Sequence, residues 1–248
     1  MKPETYARRA FNRVRLAVRW QQRLNDWEAA RFDRRLGVET GGRLAPIDAT
    51  VRTGDASLGV IYIGTQPRMA RWWLAGLPRN PADFTFVDMG SGKGRVLLFA
   101  LEAGFRRSVG VEFADELHAV AVNNAHIARQ HGLLIEPLLG DAGDFDFPDE
   151  PLVVHFNNPF HDPVMVRVIA NLGRSYERRP RSLVVLYHQL TVEDAGDETG
   201  NLALLDKVPF LEGRTLEPPA GRIDRNLLAP FTVRIYESSE VLTAMDSG

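Results

Sequence analysis

The chain has no cysteine among its 248 residues, so disulfides, thiolate metal sites and thiol nucleophiles are excluded. No apolar run approaches the roughly 20 residues that a membrane span needs, and no signal-peptide stretch stands near the start. A strong net charge is missing too: the formal balance of −2 gives no global pull toward nucleic acid. Internal repeats and low-complexity tracts are absent, and the six histidines show no metal-ligand spacing. The expectation is a cytoplasmic protein without membrane, metal or nucleic-acid partner. What is present, 44% hydrophobic and 25% charged residues, is ordinary for a globular domain.

The near-neutral total hides an asymmetry. Residues 1–36 hold ten Lys or Arg against four Asp or Glu, a balance of +6 that leaves −8 for the rest. Two readings stand side by side: a solvated, Arg-rich helix face, and a docking arm for an acidic partner. Ala7, Phe11, Val14, Val18, Leu24 and Trp27 recur near helical spacing and predict a helix over 5–36 that Gly37 ends. "GVETGGRLAPIDAT" (37–50) is turn-rich and irregular. Residues 1–50 thus read as a basic helical extension in front of a domain spanning 51–248. "QPRMARWWLAGLP" (66–78) predicts a short helix, with Trp72 and Trp73 as core.

From residue 84 the texture changes to strands alternating with helices. "FTFVDM" (84–89), "RSVGVEF" (107–113), "LLIEPLLG" (133–140), "PLVVHF" (151–156) and "RSLVVLY" (181–187) read as strands. Helices are expected at 94–104, 114–132 and 163–175. This is the pattern of a doubly wound, Rossmann-like α/β fold with a mostly parallel sheet. "ALLDKVPF" (203–210) and "PFTVRIYES" (230–238) have no helix between them and read as an antiparallel pair at one edge, giving seven strands.

The loop "VDMGSGKGR" (87–95) carries three glycines within five residues. A triphosphate loop needs Gly-x-x-x-x-Gly-Lys followed by Ser or Thr; Gly94 follows Lys93 here, and Val87 stands where the first glycine belongs. The dinucleotide pattern Gly-x-Gly-x-x-Gly is met at Gly90 and Gly92, but its third position is Arg95. S-adenosylmethionine (SAM) carries an ammonium, a carboxylate and a sulfonium but no phosphate, and its methionine end suits an acid beside the turn. Asp88 supplies one. Glu112, 24 residues later at the next strand end, can accept both ribose hydroxyls, and Gly140-Asp141-Ala142 after the third strand can meet the adenine amino group.

With these residues in hand, the chain resembles the class I SAM-dependent methyltransferases. "VDMGSGKGR" looks like their first motif, "GVEF" like the second acidic position and "GDAGDF" like the adenine-side motif. "VVHFNNPF" (153–160) is similar to the fourth motif, beside the transferred methyl. Within that superfamily "FVDMGSGKGRVLLFAL", "GVEFADEL" and "FNNPF" look most like protein-lysine methyltransferases of the non-SET histone type and their bacterial relatives. The resemblance implies a SAM-dependent methyltransferase acting on an amine, a protein lysine first, then a small-molecule N- or O-acceptor. The implied cofactor contacts are Asp88, Gly90, Ser91, Gly92, Gly94, Glu112, Asp141, Ala142 and Asn158, with Tyr62, Thr65 and Gln66 of "YIGTQP" as a lid.

Amino-group methyltransferases place Asn or Asp, two prolines and an aromatic at the fourth motif. This chain has Asn157-Asn158-Pro159-Phe160, with one proline. Asn158 is taken for orienting the amine and Phe160 for the wall, with Asn157 as the alternative and an ordinary turn as the structural reading. His155, His161 and His188 fall near the pocket and are read as structural, with proton handling as the alternative. A nicotinamide-dependent oxidoreductase and a non-catalytic SAM-binding module are the competing classes.

Overall fold

The computed structural model describes residues 20, 22–77, 80–190, 200–219, 221 and 231–239. The expected helix over 5–36 is seen at 22–36 (α1); its earlier part, with most of the basic excess, lies outside the described residues. The chain continues through β1 (Arg43–Leu44), β2 (Tyr62–Ile63) and α2 (Pro67–Ala75) to the first long strand, β3 (Thr85–Met89). There follow α3 (Arg95–Glu102), β4 (Arg107–Glu112), α4 (Asp115–Arg129), β5 (Ile135–Leu139), β6 (Leu152–Asn157), α5 (Asp162–Arg178) and β7 (Leu183–Leu190). A short α6 (Asn201–Leu205), β8 (Leu211–Thr215) and β9 (Phe231–Ser238) complete it.

Seven strands form one sheet in the order β5-β4-β3-β6-β7-β9-β8, parallel except where β9 pairs antiparallel with β7 and β8. This is the doubly wound, Rossmann-like arrangement with an antiparallel C-terminal edge. Its strands are apolar on both faces, as burial beneath helices on either side requires. The alternation along each strand then decides which layer a side chain meets. Phe86, Val153, Val184 and Leu186 pack with Trp73 of α2, with α3, and with Phe32 and Leu36 of α1. Val87, Met89, Val154, Phe156 and Tyr187 pack with Val164, Met165 and Val168 of α5 and with Leu205 of α6. Trp72 and Trp73 are core, as expected.

The sequence "ALLDKVPF" does not form the first strand of the edge pair. It contains the end of α6 and a turn, and the strand follows as β8. Its buried residues explain the difference: Leu205 and Val208 stand three apart, a turn-like spacing that an apolar run alone does not reveal. No helix among the described residues is long and apolar enough to cross a membrane.

Candidate active site

Between β3 and β6 the strand order reverses, and the loops that follow these two strands open a crevice at the carboxyl ends of the sheet. Two adjoining cavities occupy it. The first is lined by Tyr62, Thr65, Asp88, Ser91, Glu112 and Asn157 among others, the second by Gly54, Leu58, Asp141, Ala142, Phe160 and Val164 among others. Gly90, Phe113 and Pro159 wall both.

The glycine loop is closed by its own neighbours. Gly90 and Ser91 both donate their N–H to the Val111 carbonyl, at 2.9 and 3.0 Å, and Gly92 donates to Glu112 Oε2 at 2.8 Å. A phosphate-binding loop keeps such N–H groups for its ligand. Here they are spent on β4 and its terminal acid, so a phosphate entering the crevice would meet Asp88 and Glu112 instead. Gly92 has φ 53°, and a Cβ there would stand 2.1 Å from the Tyr62 ring, which covers the loop. The buried Ser91 Oγ has no hydrogen-bond partner among the described residues and lines the first cavity. Two carboxylates and an unanswered hydroxyl fit a cationic, hydroxyl-bearing, phosphate-free molecule.

Each acid is held differently. Asp88 on β3 is buried, and its Oδ1 lies 2.6 Å from Nδ1 of His155, its register partner on β6. Glu112 is also buried, with Oε2 on Gly92 N and Oε1 on Ala114 N at 2.9 Å. Burial pushes its carboxyl up to about 7, while the N–H groups of Ala114, Gly92 and Phe113 pull the other way. The same carboxylate lines the first cavity. Asp141 caps the 3₁₀ turn Ala142–Asp144, accepting from Gly143 N at 2.7 Å and from Arg167 Nη2 of α5, also at 2.7 Å.

The segment expected to form a lid is tied down at several points. Val60 N donates to Pro159 O at 3.2 Å and His161 N to Leu58 O at 2.9 Å, so residues 58–60 run along the segment after β6. The Tyr62 hydroxyl donates to Thr40 O at 2.9 Å, and burial holds this phenol above its ordinary range. Arg95, the residue that broke the dinucleotide pattern, joins three pieces of chain. Its Nε donates to Thr40 Oγ1 at 2.6 Å and its Nη1 to Thr65 O at 3.0 Å, while its Nη2 lies 4.0 Å from Asp33 of α1. Burial lowers its basicity, opposed by the nearby Tyr62 and Asp33. Lys93 pairs with Glu39 at 2.5 Å, outside the cavity.

The two asparagines diverge. Asn157 donates from Nδ2 to Thr65 Oγ1 at 3.0 Å. Asn158, at φ 40° the one described non-glycine residue with positive φ, accepts from the Tyr187 hydroxyl on its Oδ1 at 2.6 Å. Asn201 of α6 backs this bond, donating to the Tyr187 oxygen at 3.1 Å and to Phe160 O at 2.8 Å.

The first cavity therefore gathers Tyr62, Thr65, Asp88, Gly90, Ser91, Glu112, Asn157 and Asn158, and the second takes Gly90, Asp141, Ala142 and Phe160. Gly92 and Gly94 line neither: one feeds Glu112 and the other caps α3 at φ 82°. Gln66 stands at the start of α2 and lines neither cavity. Phe160 turns to the second cavity, not to the one that holds Asn157. Arg95, Thr40, Arg167 and the partnership of His155 with Asp88 had no assigned role from sequence. The signals for two of them were visible as an arginine behind the last glycine and a histidine inside an apolar strand.

Residues 79–135, from just before β3 to the start of β5, match the family model described as histone methylation protein DOT1. No curated protein matches the chain. Among solved structures it is similar to an RNA methyltransferase from Salinibacter ruber in complex with S-adenosyl-L-homocysteine, at 20% identity and a TM-score of 0.47, over 72% of this chain and 95% of that one. A ribosomal protein L11 methylase from Lactobacillus delbrueckii subsp. bulgaricus is similar at 16% identity and 0.45, over 71% and 80%. So is a geranyl diphosphate C-methyltransferase from Streptomyces coelicolor A3(2), in complex with Mg2+, geranyl diphosphate and S-adenosyl-L-homocysteine, at 13% and 0.47, over 70% and 78%.

Proposed function

We propose that this chain, which is a class I SAM-dependent methyltransferase, methylates the side-chain amine of a protein lysine. The class rests on the family match, in agreement with the strand order and the acid-lined crevice. Asp88 would face the methionine ammonium, Glu112 the ribose hydroxyls, and Asp141 with Ala142 the adenine edge in the second cavity. SAM supplies, when bound, an electrophilic methyl on a sulfonium.

The observation that carries the acceptor is the Asn157 amide. Its nitrogen is committed to Thr65 Oγ1, which leaves its carbonyl oxygen, at the cavity lining, as the group able to accept from an N–H. The carbonyl of Asn158 is already engaged by Tyr187, so the orienting role passes to Asn157. Alternation along β6 separates the two: Asn157 lies on the face of Asp88 and His155, and Asn158 turns to the face of Tyr187. An amine must attack with a free lone pair, and the apolar walls made by Ile63, Val60 and Pro159 favour its neutral form. Holding nucleophile and methyl in line is then most of the catalysis. A protein acceptor is supported by the description of the family that residues 79–135 match, histone methylation, and lysine by the motif resemblance.

Incubating the protein with methyl-labelled SAM and cell extract tests this. Label is expected in a protease-sensitive band and, after hydrolysis, in methyl-lysine. Label confined to small molecules would refute the lysine acceptor. Asn157→Ala should abolish turnover while keeping SAM affinity; if Asn158→Ala does so and Asn157→Ala does not, the assignment of the two is reversed.

A further inference from the structure

We propose that His155 is the positioning residue of the cofactor site: it fixes the Asp88 carboxylate so that its second oxygen faces the methionine ammonium. This rests on the cofactor reading above. In "PLVVHF" the imidazole is the one polar side chain among buried apolar neighbours, and its side chain is fully buried. The parallel register sets His155 beside Asp88, and the 2.6 Å contact from Nδ1 to Oδ1 occupies that carboxylate oxygen.

The surroundings dictate which nitrogen carries the proton. His155 is stacked against Trp73 at 4.7 Å and His188 at 5.0 Å, with Phe86 at 5.9 Å, and its Nε2 has no partner among the described residues. His188 is itself buried, with neither ring nitrogen partnered among the described residues, and burial keeps it neutral. A proton on Nε2 of His155 would be stranded in this aromatic layer, whereas one on Nδ1 completes a charge-assisted hydrogen bond. The tautomer is thus set from behind, and the carboxylate plane, which a free aspartate leaves loosely defined, is set with it. The charged residues that line the first cavity with Asp88 are Glu112 and Arg95, and Arg95 is already bound to Thr40 and Thr65 and lies beside Asp33.

Calorimetry with two ligands tests the proposal. SAM carries the ammonium that Asp88 would meet, and 5′-methylthioadenosine has the same adenosine without the amino acid. His155→Phe keeps a ring in the stack but removes the donor. SAM affinity should fall by about ten- to a hundred-fold, the range of one charge-assisted hydrogen bond, with methylthioadenosine affinity unchanged. His155→Asn, which returns an N–H donor, should recover most of the loss. In an Asp88→Asn background, His155→Phe should cost little more. Equal losses for both ligands, no loss for either, or an Asn variant as poor as Phe would overturn the positioning role. A wild-type protein that binds methylthioadenosine but not SAM would overturn the cofactor reading as well, a result separable from all of these.

Discussion

The two cavities of the crevice share three wall residues but are built on different principles. The first is cross-linked: side chains from residues 62–65, β3, β4 and β6 converge on it, and several are tied to other pieces of chain. Arg95 alone contacts Thr40, Thr65 and Asp33. The second is lined mainly by backbone and apolar groups; of its two acids, Asp55 caps its own short turn and Asp141 leans on the half-exposed Arg167. Such a difference suits a ligand with a charged, reactive end and a flat, aromatic end. Charge needs preorganised partners held against water, whereas a flat ring needs chiefly a slot of the right width. Substitutions should therefore be felt far more in the first cavity than in the second.

The sharpest break of that comparison pairs a glycine packed against Tyr62 of the first cavity with one in the wall of the second. Gly92→Ala puts a methyl into a left-handed backbone position and 2.1 Å from the Tyr62 ring. Strain and overpacking together should cost on the order of 2–4 kcal/mol of stability and abolish measurable SAM binding. Adding Tyr62→Ala should recover part of this by removing the clash but not the strain. Gly140→Ala, in the wall of the second cavity, meets nothing within 4 Å and should change stability by less than about 0.5 kcal/mol. Thermal melts and calorimetry on the three proteins check this; equal losses for Gly92→Ala and Gly140→Ala would erase the distinction.

A smaller effect is expected from Glu112, and it has a pH signature. Its carboxyl is raised by burial to about 7, so between its ordinary value and that point the folded chain holds a proton that the unfolded chain has released. The folded state is therefore favoured at the acid end of the window and loses that contribution as pH rises through about 7. The difference should be on the order of 2–3 kcal/mol between pH 5 and pH 8, and Glu112→Gln should flatten it. His188 contributes in the opposite direction, but equally in both proteins, so their difference isolates Glu112. With Glu112 in its proposed role as acceptor of the ribose hydroxyls, SAM should bind more tightly as pH rises in the wild type. The variant should bind it about ten-fold or more weaker, with no such slope. Parallel pH profiles for the two proteins would show that Glu112 is not the group responsible.

The same contrast explains what could be read from the amino-acid string. Asp88, Glu112 and Asp141 were legible because each ends a strand or follows it, and strand ends in an α/β sheet are fixed by local pattern. The mostly parallel sheet with its antiparallel edge followed from alternation in the same way, whereas the strand order did not. Arg95 was not legible, because its partners lie 30 to 62 residues away in segments with no regular structure or on α1, a distance no spacing rule spans. His155 looked structural until the register set it beside Asp88. "ALLDKVPF" was misread because an apolar run of that length fits a strand as well as a helix end and turn. Lys93, which invited a phosphate reading, is bound to Glu39 outside the crevice.

The smallest effect is expected at Arg167, the second cavity's cross-link. Its side chain is 43% exposed, and it meets Asp141 Oδ2 at 2.7 Å and Asp144 at 3.2 Å. An ion pair this open to solvent contributes under about 1 kcal/mol, because water and salt screen it and a long side chain must be held still. Asp141 would also keep its Gly143 N–H bond when the arginine is gone, so the acid stays in place. Arg167→Met should therefore lower the melting temperature slightly and weaken binding of SAM and of methylthioadenosine alike, each by no more than about five-fold. High salt should shrink the difference further. A loss comparable to that of Glu112→Gln would mean that the second cavity is as tightly preorganised as the first, with adenine recognition running through the arginine as well as the acid.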